Sequence, residues 1–287
     1  MWQAISQQLS DTLMFEFTIR EKVKLPGGDI NQCYMISDGE QRYFVKINQK
    51  DELSLFESEV DSLKELRHSD TVFVPEVVHL GNCKDAAFLV LNYFPTKALN
   101  TDEASFNFGQ QLARLHQWGE QKEYGFDSDN YVGATLQPNR WEKKWHRFFS
   151  EQRIGWQLQL LSEKGIELGN SEAIIQAVSD ELAHHHPTPS LLHGDLWSGN
   201  VANSAFGPLC FDPSCYWGDR ECDIAMTELF GGFNNQFYAG YASVLPLSSG
   251  YEHRRTIYNL YHILNHCNLF GGHYLDEAQS IIEEMLS

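Results

Sequence analysis

The sequence predicts an α+β chain of two lobes, a strand-rich first third followed by a mostly helical remainder. Three observations predict it. Residues 17–93 carry short alternating or apolar runs separated by turn dipeptides. A single helical stretch interrupts them. After Pro95 the apolar spacing changes to that of helices. The expected division is 1–93 for the first lobe and 94–287 for the second.

The elements follow in order. MWQAISQQLSDTLMF reads as a short amphipathic helix. It lacks the basic start and apolar run of a secretory signal. FTIREKVKL (17–25) alternates, with Phe17, Ile19, Val23 and Leu25 on one face, and predicts a half-buried strand. Pro26-Gly27-Gly28-Asp29 makes a turn. Strands at 30–37 and 42–47 flank the hairpin signal Asp38-Gly39. A helix spans 53–68, and strands follow at 75–80 and 87–93. Helices are expected at 101–118, 138–164 and 171–186, short strands within 190–212, and helices from about residue 222 onward. The junction near 92–97 is where an inter-lobe cleft would bind ligand.

Composition narrows the function. Thirty-nine acidic against 21 basic residues give a formal charge of -18. That excludes the broad basic surface that nucleic acid or an anionic membrane needs. No apolar run reaches membrane-span length. The six cysteines are scattered without a CxxC pair, and read as free thiols of a cytoplasmic protein. His184-His185-His186 could suggest metal, but beside Pro187 it reads as a solvated helix end.

Five residues carry the chemistry. Lys46 sits in the strand YFVKI. On the helix that follows, Phe56, Val60, Leu63 and Leu66 form the apolar stripe, and Glu59 falls inside it. A buried acid needs a partner, and the strand lysine is the natural one. Such a pair holds α/β-phosphates in kinase-type sites. LLHGDLWSGN (191–200) places His193, Asp195 and Asn200 at the spacing of the kinase catalytic loop H-R-D-L-x-x-x-N, with Gly194 in place of Arg. The Asp would accept or orient a hydroxyl proton, and the Asn would offer a neutral oxygen to Mg²⁺. Twelve residues on, Asp212 ends an apolar strand as a second metal ligand. Gly27 and Gly28 would form a lid over phosphates. Backbone groups of Asn92, Tyr93 and Phe94 would hold adenine. The cofactors expected are ATP and Mg²⁺.

LPGGDIN, FVKIN, FESEVDSL, ARLH, LLHGDLWSGN, FDPSCYWGDRECDIAM and LYHILNHCNLFGG together span nearly the whole chain. They resemble the fructosamine (ketosamine) kinase family. That family belongs to a two-lobed protein-kinase-like fold, with an antiparallel N-terminal sheet carrying one inserted helix, related to aminoglycoside phosphotransferases and choline kinases. The resemblance implies ATP-dependent phosphorylation of the sugar of a ketosamine at its third hydroxyl. The product then falls apart and frees the amine, which is deglycation. It implies Asp195 as base, Asn200 and Asp212 on Mg²⁺, and Lys46 with Glu59 on ATP. Residues 1–93 then form the ATP-binding lobe and 94–287 the catalytic and substrate lobe.

Trp197, two residues past the base, would stack on sugar. The segment 216–221 would form the substrate floor, with Trp217 and Asp219 as candidate contacts, although Asp219 suits a helix cap better. Some members of the family carry a lid cysteine where this sequence has Asp29, which makes redox control doubtful. No Ala-Pro-Glu follows Asp212, so the site should take a small group. The expected partners are ketosamine small molecules or glycated protein amines acting on a monomer. Two alternatives stand beside this reading. One is an aminoglycoside- or choline-type phosphotransferase, for which Trp197, Tyr216 and Trp217 could build a cation cage. The other is a catalytically silent nucleotide-binding regulator.

Overall fold

The computed structural model describes residues 1–26 and 30–287. Helix α1 (Trp2–Leu13) is followed by strands β1 (Glu21–Lys24), β2 (Gln32–Ser37) and β3 (Arg42–Gln49). Helix α2 (Leu53–Ser69) then precedes β4 (Val77–Asn82) and β5 (Ala86–Asn92). The five strands form one antiparallel sheet in the order β1-β2-β3-β5-β4. Period-2 alternation sorts its side chains. Phe88 and Val90 of β5, with Val45 and Ile47 of β3, pack against Ile5 and Leu9 of α1 on the outer face. Ala87, Leu89 and Leu91 point the other way, into a core shared with Phe56, Val60, Leu63 and Leu66 of α2. Lys46 lies between Val45 and Ile47, so it faces the α2 side.

The expected strand over 17–25 forms only at Glu21–Lys24, and its four residues are exposed. Upstream, the backbone is tied to α1 instead. The Ser6 and Ser10 hydroxyls both donate to the Phe17 carbonyl, and the Phe17 N–H donates to the Ser10 hydroxyl. Phe17 alone is buried, against Tyr43 at 5.3 Å between ring centres.

The second part is mostly helical. After β6 (Thr96–Lys97) come α3 (Asp102–Leu115), the hairpin β7 (Asn130–Val132) and β8 (Thr135–Gln137), α4 (Trp145–Arg147), α5 (Trp156–Glu163) and α6 (Ser171–Leu182). A π-helical stretch, Phe148–Gly155, joins α4 to α5. The helix expected from 138 therefore starts at Trp145. Thr101 and Asn170 accept from backbone N–H groups at the starts of α3 and α6. Short strands β9 (Ser190–Leu192), β10 (Val201–Ser204), β11 (Gly207–Cys210) and β12 (Tyr216–Gly218) follow. Helices α7 (Glu221–Leu229), α8 (Asn235–Val244), α9 (Tyr251–Phe270) and α10 (His273–Leu286) complete the chain. β6 pairs with β10, which pairs with β11, so the connection leaving the large sheet is stapled to the strands around the Asp195 loop. Among the described residues no helix is long and apolar enough to cross a membrane.

Candidate active site

Strand alternation delivers Lys46 and helical spacing delivers Glu59, both buried. The Lys46 ammonium donates to both Glu59 oxygens at 2.7 and 2.8 Å and also to Asp212. Burial works against this charge, but the carboxylates of Asp212 and Glu59 outweigh it and hold the lysine pKa above its ordinary value. The Asp212 side chain is 46% exposed, so it is the open end of the triad, facing solvent. Asp212 takes φ 57°, a left-handed conformation rare outside glycine. Its neighbours fix that turn. The Phe211 N–H donates to the Asn200 carbonyl at 3.1 Å, and the Ser214 N–H donates to the His193 carbonyl at 2.8 Å.

The same two bonds dock the Asp195 loop beside Asp212. β9 is fully buried and ends at Leu192. Gly194 turns the chain at φ 84°, and a Cβ there would lie 2.0 Å from the Ser214 carbonyl oxygen. Only glycine permits this approach, which gives Gly194 a packing reason of its own. The Asn200 amide donates to the Asp195 backbone oxygen at 2.9 Å and to its carboxylate at 3.2 Å. Burial pushes the Asp195 carboxyl up to about 7, and the nearby Asp212 charge adds to this. His193 donates from Nε2 to the Phe211 carbonyl at 3.0 Å and accepts at Nδ1 from the Asp195 N–H at 3.3 Å. Its burial lowers its pKa and favours the neutral ring.

Asp223 is a site residue that the sequence reading missed. It sits in the first turn of α7, fully buried, and accepts from the N–H groups of His193 at 2.8 Å and Gly194 at 2.9 Å. His116 at the end of α3 completes the grip at 3.1 Å, and its other nitrogen meets the Tyr241 hydroxyl at 2.7 Å. Burial alone would raise the Asp223 carboxyl. The hydrogen bonds from His116 and from the Gly194 N–H outweigh it and hold the carboxyl below its ordinary range. A signal was present: an acid embedded in the apolar run CDIAM (222–226) is Glu59's pattern repeated. ARLH likewise ends on His116.

A second missed set braces the segment after Asp212. Asn130 donates to the Cys215 carbonyl at 2.7 Å and Gln137 to the Ser214 carbonyl at 3.2 Å. Gln137 and Asn139 both donate to the Asn130 side-chain oxygen, and Arg153 donates to that of Asn139. Arg153, in the π-helical stretch, also lies over the Tyr216 ring at 4.1 Å.

The remaining expected site residues divide. Trp197 is 39% exposed, and its ring covers Gly199, whose Cβ would meet it at 2.2 Å. It lies edge-on to Phe230 at 6.4 Å, so it stands two residues past Asp195 with part of its surface free. Trp217 and Asp219 are elsewhere. β9 and β12 pair antiparallel, with Leu192 opposite Tyr216 and Ser190 opposite Gly218. Asp195 leaves one end of this pair and Asp219 the other. Trp217 is buried and stacks on Trp118 at 5.9 Å. Asp219 is buried and accepts from the Glu221 N–H, the Tyr258 hydroxyl and His185, so the capping role fits it and substrate contact does not. With Tyr216 under Arg153 and Trp217 under Trp118, a choline cage with Trp197 does not form. His185 is likewise bonded, not a solvated helix end.

At the lobe junction, the Asn92 N–H is committed to the Glu76 carbonyl at 3.0 Å. Among the described residues, no such bond engages the N–H groups of Tyr93 and Phe94. Phe94 packs edge-on against Phe73 and Phe206 at 5.1 and 5.9 Å. Gly27, Gly28 and Asp29 lie outside the described residues. All six cysteines are free thiols. For a divalent cation, the donors suit Mg²⁺. Asn200 spends its side-chain N–H groups on Asp195 and keeps its side-chain Oδ1, and Asp212 adds a half-exposed carboxylate.

The whole chain, residues 1–287, matches the family described as Fructosamine kinase. It is 68% identical over 287 residues to a "Probable ketoamine kinase" of Vibrio parahaemolyticus, with 100% of both chains covered. It superposes on the crystal structure of a "Putative fructosamine-3-kinase" from Haemophilus somnus with a TM-score of 0.95 at 39% identity, covering 100% of this chain and 98% of that one. More distant likeness shows the fold alone. Aminoglycoside phosphotransferase APH(4)-Ia, in a ternary complex with ADP and hygromycin B, gives a TM-score of 0.64 at 15% identity, covering 99% of this chain and 98% of that one. Choline kinase LicA from Streptococcus pneumoniae gives 0.65 at 18%, with the same coverage. The fold is therefore the two-lobed kinase-like one, and the chain belongs to the fructosamine kinase family of phosphotransferases.

Proposed function

We propose that the protein transfers the γ-phosphoryl group of ATP to the third hydroxyl of the sugar of a ketosamine, a product that then breaks down and frees the amine. The observation that carries this reading is one bonded cluster, in which Lys46 holds Glu59 and Asp212 together and Asn200 holds Asp195 beside them. Family membership supplies the acceptor class, and the ADP complex of APH(4)-Ia supports ATP as donor.

Each side chain has a task. Lys46, pre-oriented by Glu59, would neutralise the α- and β-phosphates. Asn200 and Asp212 would hold Mg²⁺, which when bound offsets the charge of the phosphate oxygens. Its positive charge would also lower the Asp195 carboxyl from about 7 towards the ionised form that accepts a proton. Asp195 would orient the acceptor hydroxyl in line with the γ-phosphorus and take its proton as the O–P bond forms. Asp223 holds the N–H groups at the root of that loop and so aims the carboxylate. The Trp197 indole would lie against the apolar face of the sugar. Residues 1–93 would serve as the ATP-binding lobe and 94–287 as the catalytic and substrate lobe. Tyr93 and Phe94 remain suited to adenine, whereas the Asn92 N–H is spent. A reducing cytoplasm suits the six free thiols.

ADP release in ATP and Mg²⁺ tests the reading, with a ribulosamine, a fructosamine, an aminoglycoside and choline offered in parallel. Turnover on a ketosamine, falling about 10³-fold in Asp195→Asn, is the expected result. Turnover only on an aminoglycoside or choline would keep the phosphotransfer and sink the ketosamine acceptor. ATP binding without turnover on any acceptor would favour a regulator.

A further inference from the structure

An opening lies at the other end of the β9–β12 pair from Asp195. It is a cavity of about 870 Å³ between the end of α6, the start of α7 and the start of α9. On its wall His185, Asp219 and Glu221 bring one ligand atom each within 4.8 Å of one another. Both carboxylates are buried, and the His185 side chain is 18% exposed. The His185 Nε2 stands 2.6 Å from Asp219 Oδ2 and 4.0 Å from Glu221 Oε2.

The geometry points to a binding site for one divalent transition-metal ion, of the Zn²⁺ or Co²⁺ type, held by His185, Asp219 and Glu221 and distinct from the phosphotransfer site. An imidazole with two carboxylates suits these borderline ions better than Mg²⁺. A tetrahedral ion at its usual bond lengths needs donors roughly 3.4 Å apart. The separations of 2.6 and 4.0 Å bracket that spacing, so small side-chain shifts complete it. Outer partners that orient the carboxylates are in place. Tyr258 donates to Asp219 at 2.5 Å, and Arg254 and Ser248 hold Glu221 at 2.6 to 2.9 Å. The cavity leaves a fourth position for water. On binding, the His185 Nε2 would turn from Asp219 and present its lone pair to the metal. Because α7 carries Asp223 two residues beyond Glu221, the ion would brace the helix that holds the Asp195 loop.

Tag-free protein in excess Mg²⁺ is titrated with ZnCl₂ by calorimetry and with CoCl₂ by visible absorption. One ion per chain is expected, with a Co²⁺ spectrum of four-coordinate type. Zn²⁺ at a hundredfold excess over Kd raises Tm by about 5 °C, and EDTA reverses the rise. His185→Gln keeps a donor towards Asp219 but removes the imidazole, and weakens binding at least about tenfold. The double variant His184→Ala, His186→Ala leaves binding intact. The inference is overturned if wild type takes up no ion, if His185→Gln binds equally well, or if binding disappears only in the double variant. In that last case the histidine run chelates at the surface. None of these outcomes depends on the identity of the phosphoryl acceptor.

Discussion

Glu59 and Asp223 are both acids on the buried faces of helices, yet they solve the burial problem differently. Glu59 meets another charge, the Lys46 ammonium, within the first sheet. Asp223 meets backbone N–H groups and a histidine in the second part of the chain. A charged partner can be shared, and here Lys46 is also held by Asp212. Backbone donors cannot relocate, because the loop that presents them is defined by their positions. Glu59 therefore shares a charged side chain with Asp212, while Asp223 holds the shape of a loop.

Asp223→Ala should break this contrast open with the largest effect. It leaves two buried N–H groups and His116 without their acceptor, and we expect a loss of about 3–5 kcal/mol in chemical denaturation. Activity would fall even where the fold survives. Should Asp223→Ala unfold at the wild-type midpoint, the loop-holding role fails.

His262 sharpens the point about burial without a compensating charge. It lies on α9, is buried, and its pKa is pushed down to about 3 by burial and by the neighbouring His266. The unfolded chain binds a proton near 6.5 that the folded chain refuses, so stability falls as pH drops below that value. One such group accounts for about 2 kcal/mol between roughly pH 7.5 and pH 5. His262→Gln should remove that share of the acid sensitivity while His193, also lowered, retains its own. An unchanged pH slope in the variant would show that folded His262 takes up its proton as readily as the unfolded chain does, and would overturn the lowered pKa.

Glu59→Gln should have the smallest effect on folding, within about 1–2 kcal/mol, because the amide oxygen still accepts from Lys46 and Asp212 keeps the charge paired. Its effect should appear as a raised KM for ATP. Equal destabilisation by Glu59→Gln and Asp223→Ala would erase the distinction between the two acids.

The difference between them also explains what could be read from the amino acids. Glu59 was legible because both partners lie in regular elements close in sequence, and each period aims one side chain at the other. Helix α2, expected over 53–68, spans Leu53–Ser69 for the same reason. Asp223 escaped because its donors are backbone groups some thirty residues upstream, and backbone carries no sequence signature. Residues 17–20 alternate like a strand, yet Ser6 and Ser10 capture the backbone at Phe17. The 216–221 segment is expected as substrate floor from the family resemblance, with Asp219 leaning to a helix cap, and the antiparallel pairing of β12 with β9 carries Asp219 to the far end of the strand pair.

By itself the sequence determined the order of elements, the Lys46–Glu59 pair and the spacing of His193, Asp195 and Asn200 on one loop, because these depend on local periodicity and short-range chemistry. Tertiary structure alone decided which way the 216–219 segment faces, which acid holds the Asp195 loop, and that His185 meets Asp219 and Glu221. Those outcomes depend on strand register and on contacts between distant segments, which no local pattern of side chains encodes.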